Sequence, residues 1–98
     1  MLVCNVIKNF KDKETEKIFN EEYSKKLPKN IQKRALIKLM LLDAAEVESD
    51  LESPPGNKYK KLEGKRKNEY SIRINDQWRI CFKFNNGEAT DVSIEDYH

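Results

Sequence analysis

The chain has 98 residues, 19 of them Lys or Arg and 17 Asp or Glu, for a formal charge of +2. That length supports one hydrophobic core and not two. No stretch approaches the ~20 apolar residues of a membrane-spanning helix, and the opening Met1-Leu2-Val3-Cys4-Asn5-Val6-Ile7 is too short for a secretory signal and lacks a cleavage site, so a soluble, cytoplasmic, single-domain protein over 1–98 is expected.

Residues 3–8 suit a short first strand. Asp12 is placed to cap a first helix running to about Tyr23, with Ile18, Phe19 and Tyr23 as its apolar positions. Pro28 fits the first turn of a second helix. There Ile31, Ala35, Leu36, Leu39 and Met40 recur at three- and four-residue spacing and form one apolar face. Lys29, Lys33, Arg34 and Lys38 lie largely off that face, and the helix is expected to end near Ala45. Residues 46–57 are acidic and kept irregular by Pro54, Pro55 and Gly56, which reads as a linker.

The C-terminal part alternates strictly. In Tyr70-Ser71-Ile72-Arg73-Ile74 and in Trp78-Arg79-Ile80-Cys81-Phe82-Lys83-Phe84 the apolar residues fall mainly on even positions, the pattern of half-buried strands. A three-residue loop Asn75-Asp76-Gln77 sets Ile74 opposite Trp78, Ile72 opposite Ile80 and Tyr70 opposite Phe82. A two-residue loop would put arginine opposite an apolar partner. For the next turn, Asn85-Asn86-Gly87 with Gly in the left-handed position predicts a second three-residue loop. It pairs Phe84 with Glu88, Phe82 with Thr90, Ile80 with Val92 and Trp78 with Ile94. The expectation is an α+β fold: an N-terminal strand and two helices on one face of a mainly antiparallel sheet.

The near-zero net charge hides a segregation. Residues 1–57 hold ten basic and ten acidic residues, which cancel. Residues 58–83 hold nine basic residues (Lys58, Lys60, Lys61, Lys65, Arg66, Lys67, Arg73, Arg79 and Lys83) against three acidic ones, a net of +6. Residues 84–98 hold four acids and no Lys or Arg, a net of −4. A dense basic segment in a folded domain is an electrostatic footprint for a polyanion.

The predicted register puts Arg73 opposite Arg79 on the face without helices, with Ser93 beside Arg79, and Cys81, Lys83 and Asp91 further along. Like charges directly opposite repel, so the pairing calls for an acid, for which Glu95 is at hand, or for a bound anion. The guanidinium fork matches phosphate oxygens in two-point contacts, which favours the anion. The chain ends Glu95-Asp96-Tyr97-His98. His98 is the only histidine, the side chain whose ordinary pKa best suits proton transfer near neutrality. Tyr97 shares parity with Arg79 and can stack on an exposed base. Cys4 and Cys81 form no metal-ligand or redox spacing and read as reduced, buried thiols. Neither the His/Cys spacing of a zinc site nor the clustered carboxylates of a two-metal site is present, so no metal or other cofactor is expected.

Several stretches resemble the HigB, or plasmid-maintenance killer, branch of the RelE/ParE toxin superfamily. They are Ile7-Lys8-Asn9-Phe10, Leu41-Leu42-Asp43-Ala44-Ala45, Pro55-Gly56, Leu62-Glu63-Gly64-Lys65-Arg66, Trp78-Arg79-Ile80, Phe82-Lys83-Phe84 and the terminal Glu95-Asp96-Tyr97-His98. The likeness runs from about residue 6 to the end and leaves residues 1–5 as an extension. It implies a RelE-like β-α-α-β-β-β order and a metal-independent messenger-RNA endonuclease that acts on the ribosome and is neutralised by a helix-turn-helix antitoxin. The family's functional positions fall on Arg79, Asp96, Tyr97 and His98, to which the register argument adds Arg73. The basic residues Lys58, Lys60, Lys61, Lys65, Arg66, Lys67 and Lys83 would hold RNA. A histidine common in this branch is Lys60 here, and a lysine common within the Leu-x-Gly step is Glu63. Either Lys60 or Lys61 then remains to stabilise phosphate. A gyrase-inhibiting relative or a non-catalytic RNA-binding module are the alternatives.

Overall fold

A computed structural model describes residues 6–45, 51, 59–62 and 68–96. Expectations for Cys4, for the extension 1–5 and for the linker other than Leu51 lie outside these residues. The elements are α1 (Lys13–Phe19), α2 (Lys29–Asp43), β1 (Lys60–Lys61), β2 (Glu69–Arg73), β3 (Trp78–Asn85) and β4 (Glu88–Asp96). The four strands form one sheet in the order β1-β2-β3-β4, with every neighbouring pair antiparallel. Both helices pack on one face, as expected for an α+β fold.

The start of the chain is not a regular strand among the described residues. Ile7 and Phe10 make isolated parallel bridges to Ala89 and Val92 at the free edge of β4. The ladder is interrupted because the Asp91 N–H donates to the Asn9 side chain instead of to backbone. The C-terminal end of α2 holds the same segment, with Asp43 Oδ1 accepting from the Ile7 N–H at 2.9 Å.

Asp12 caps α1 as expected, its Oδ1 accepting from the Thr15 N–H at 2.7 Å. The helix stops at Phe19, one turn short of the predicted Tyr23, which is exposed. Gln32 of α2 accepts from the Ser24 N–H and donates to the carbonyls of Ser24 and Leu27. These bonds fix the connection between the two helices. Pro28 is the N-cap of α2. Its buried stripe is Ile31, Ala35, Leu39 and Leu42, with Leu36 half-buried. Met40, expected in that stripe, is exposed, because Leu42 takes the place over the sheet and turns Met40 outward.

The core joins this stripe to Ile72, Ile74, Ile80, Phe82, Val92 and Ile94 from the sheet, with Leu51 from the linker also buried. Full burial of a side chain such as Phe82 contributes on the order of 1.5–3 kcal/mol.

The β2–β3 hairpin has the predicted register: Tyr70 faces Phe82, Ile72 faces Ile80 and Arg73 faces Arg79. Asn75 shapes the loop, its Oδ1 accepting from the N–H groups of Gln77 and Trp78 at 2.8 and 2.7 Å. The β3–β4 hairpin differs. Asn85 pairs with Glu88, so the loop has two residues, Asn86 and Gly87, both left-handed at φ 53° and 78°. Asn-Gly is the preferred pair for the type I′ turn, whose twist matches that of the strands. A β-bulge follows, with Asp91 left-handed at φ 52°. Beyond it Ile80 faces Ile94, Arg79 faces Glu95 and Trp78 faces Asp96.

Candidate active site on the basic sheet face

The face of the sheet away from the helices is built in cross-strand rows. One row is Lys60, Ser71, Cys81 and Ser93, and the next is Arg73, Arg79 and Glu95. Lys83 lies further along, its Nζ 3.3 Å from Asp91 Oδ2. The expected neighbour of Arg79 was Ser93. The two-residue turn and the bulge together slide β4 by two positions and bring Glu95 there instead.

This face was expected to be bare, yet Ser71, Cys81, Ser93 and Arg79 are all buried. Small side chains form a floor between long charged ones, and Arg79 folds back across that floor. Its Nε donates to Ser71 Oγ at 2.8 Å, and its terminal nitrogen reaches the Ser71 carbonyl at 3.4 Å. Glu95 Oε2 accepts from the Ser93 hydroxyl at 2.6 Å. Arg73, at the end of β2, is half-buried and ion-paired with Asp76 of the hairpin loop. Each arginine of the opposed pair therefore has an oxygen-bearing residue at hand, Ser71 for Arg79 and Asp76 for Arg73.

Alternation decides between the two lysines of β1. Lys60 is the cross-strand partner of Ser71, in the arginine-bearing layer, whereas Lys61 is the partner of Tyr70. Tyr70 belongs with the core face, where its ring stacks on Tyr59 with centroids 5.5 Å apart. Asp96 also falls outside the arginine row. It is the partner of Trp78, and its Oδ2 accepts from Gln77 Nε2 at 3.0 Å. The structure thus brings together Arg73, Arg79 and Lys60, and sets Lys61 and Asp96 to the other parity. Tyr97, His98, Lys58, Lys65, Arg66 and Lys67 lie outside the described residues.

Two contributions escaped the sequence reading. Ser71 was not singled out, although its parity with Arg73 placed it on this face. Arg34 and Lys38 of α2 line a cavity of about 280 Å³ together with Arg73 and Ile74. Their four-residue spacing shows that they share a helix flank, but not that the flank meets the end of β2. Burial, and after it the charge of Arg34, pushes the Lys38 ammonium below the ordinary lysine value.

Two helices on one side of a four-stranded antiparallel meander, with arginines and a lysine grouped on the other, is an arrangement consistent with the RelE-like toxins. Sequence comparison identifies the branch. The family described as RelE-like toxin of type II toxin–antitoxin system HigB matches residues 8–98, and the chain belongs to that family. It is 40% identical over 87 residues to "Toxin HigB-1" of Vibrio cholerae, covering 88% of this chain and 92% of the relative. It is 32% identical over 93 residues to "Endoribonuclease HigB" of Proteus vulgaris, covering 95% and 100%. Membership in a type II system implies an antitoxin as partner.

Proposed function

We propose that this toxin cuts messenger RNA on the ribosome in the cytoplasm. The ribose 2′-OH attacks the adjacent phosphorus, the bond from phosphorus to the 5′ oxygen breaks, and the products carry a 2′,3′-cyclic phosphate and a free 5′-OH. DNA lacks the attacking hydroxyl, so the chemistry itself selects RNA.

The observation that carries this reading is the opposed pair Arg73 and Arg79, one row from Lys60. These cations neutralise charge developing on the phosphoryl oxygens, where one well-aimed donor contributes about 3–4 kcal/mol to the transition state. Asp96 and His98 are the candidates for taking the 2′ proton and for protonating the 5′ oxygen, and Tyr97 orients the nucleotide by stacking. Lys58, Lys61, Lys65, Arg66, Lys67 and Lys83 add the charge that holds messenger and ribosomal RNA. The endoribonuclease named in Proteus vulgaris supports the same activity here. A helix-turn-helix antitoxin would neutralise the toxin.

The test is induced expression of wild type and Arg79→Ala, with transcript ends mapped. Translated transcripts are cut by the wild type and remain whole in the variant, and the cut ends carry a 2′,3′-cyclic phosphate and a free 5′-OH. Growth arrest with intact transcripts and broken DNA would overturn the reading in favour of gyrase inhibition, and ends bearing a 5′-phosphate and a 3′-OH, the products of attack by water, would overturn the 2′-OH chemistry.

A further inference from the structure

Two buried serines of the sheet face turn two charged side chains the same way. Ser71, Cys81 and Ser93 form one cross-strand row with Lys60 at its β1 end, and Arg79 and Glu95 are direct partners in the next row. From that next row Arg79 Nε donates back to Ser71 Oγ at 2.8 Å, and Glu95 Oε2 accepts from the Ser93 hydroxyl at 2.6 Å. Both serines are buried, and so is Cys81 between them. A guanidinium and a carboxylate are thus anchored on the two sides of one floor of small residues. Directly opposed residues hold their Cβ atoms about 4.5–5.5 Å apart, so a phosphate on the Arg79 fork lies within reach of the Glu95 carboxylate. An ion pair with Arg79 would account for an acid in this row, but it does not require the serine bond that draws Glu95 over the floor.

The neighbouring acid is placed differently. Asp96 is exposed, has the other parity as the partner of Trp78, and accepts from Gln77 Nε2 at 3.0 Å. A general base must come within hydrogen-bond reach of the proton it takes, and of these two acids Glu95 is the one that shares the row of Arg73 and Arg79. We infer that Glu95 is the general base of the cleavage, a role that the ribonuclease reading, on which this inference rests, leaves open. Its carboxylate takes the 2′ proton as the 2′ oxygen bonds to phosphorus. The bond from phosphorus to the 5′ oxygen breaks, and that oxygen receives a proton from the second acid–base group, for which His98 remains the candidate. Glu95 then passes its proton to water. An ionised carboxylate has about four acceptor positions, so the Ser93 bond aims the group without exhausting it.

The test is single-turnover cleavage of ribosome-bound message by purified wild type, Glu95→Gln and Asp96→Asn across a range of pH. A second message carries sulfur in place of the bridging 5′ oxygen at the cut. Glutamine keeps the length of the side chain and an oxygen for the Ser93 hydroxyl, and unfolding midpoints of the three proteins check that the fold is kept. A base acts in its ionised form, so the wild-type rate falls in acid. Glu95→Gln is expected to be slower by about 10²–10⁴-fold and to lose that fall, whereas Asp96→Asn keeps it. A thiolate departs without needing a proton, so the sulfur message should not rescue Glu95→Gln. Rescue by sulfur would overturn the assignment by making Glu95 the acid. A slower Glu95→Gln that still falls in acid would overturn it by leaving Glu95 only the task of holding Arg79. Loss of the fall in Asp96→Asn instead would give the base to Asp96, and a Glu95→Gln as fast as wild type would remove Glu95 from the reaction. The ends left by the wild type decide the ribonuclease reading and the pH profiles of the variants decide this one, so the two can fail separately.

Discussion

Arg79 Nε donates to the Ser71 hydroxyl at 2.8 Å, diagonally across β2 and β3, so the guanidinium lies along the sheet before any ligand arrives. Ser71 is fully buried, and Arg79 nearly so at 8% exposure. A long side chain held this way loses little rotamer freedom when a phosphate binds, and that preorganisation adds to affinity. Glu95, on the far side of Arg79 in the same row, adds an acid next to the fork and is itself steadied by the Ser93 hydroxyl.

Replacement of Arg79 should therefore separate charge from geometry. Arg79→Ala is expected to lower ribosome-dependent cleavage by about 10²–10³-fold, the usual cost of losing one transition-state donor. Arg79→Lys should restore little of it, because an ammonium cannot bond Ser71 through Nε and present a two-point fork at once. Cleavage rates, compared with thermal unfolding midpoints of the same proteins, check this. A fully active lysine variant would show that charge alone suffices.

Ser71 acts through Arg79, as a positioning residue. Ser71→Ala leaves the buried Nε donor without its hydroxyl acceptor, a cost of about 1–3 kcal/mol, and should slow cleavage about tenfold. Ser71→Thr keeps the hydroxyl and should recover most of the rate. If the alanine and threonine variants lose activity alike, the hydrogen bond is not what matters.

The β3–β4 turn can be tested for stability alone. Gly87 has φ 78°, a region where a Cβ costs on the order of 1–2 kcal/mol. Gly87→Ala should lower the urea unfolding free energy by that amount. The β2–β3 hairpin that bears Arg73 and Arg79 is distant from the turn in the register, so transcript cleavage below the unfolding transition should be unchanged.

The Ser24 hydroxyl donates to Glu14 Oε1 at 2.6 Å. That bond is the main reason the Glu14 carboxyl sits below its ordinary value of 4.5. Lys17 and Lys26 act in the same direction and burial opposes them. The folded state then binds this proton less readily than the unfolded chain. The stabilisation is present above pH 4.5 and is lost as pH falls through the lowered folded value. In Ser24→Ala, the stability deficit relative to wild type should be seen near neutral pH and shrink in acid. Chemical denaturation at a series of pH values checks this, and a deficit that stays constant into acid would contradict it.

The β2–β3 register was legible because alternation runs on both sides of its loop and only an odd-numbered loop keeps apolar residues together. Asp12 was legible as a cap because one side chain satisfies one nearby N–H. In β3–β4 the same logic reached the wrong pairing. A turn shorter by one residue and a bulge longer by one residue slide the strand by two, and a shift of two preserves the parity of Val92 and Ile94. Alternation cannot register such a shift, although Asn86-Gly87 was the stronger turn signal.

By itself the sequence determined which residues share a face, since side-chain direction follows from the backbone period within each element. That covered the helix-bearing core, the Arg73 and Arg79 pair, and the basic character of the opposite layer. Only the tertiary structure decided what meets across elements. The path of the chain after α1 depends on Gln32 of α2, the partner of Arg79 depends on the bulge at Asp91, and the cation-lined cavity depends on how α2 lies against the end of β2. The physical reason is common to all three. Local periodicity fixes direction within an element, whereas register and packing depend on contacts between residues far apart in the chain.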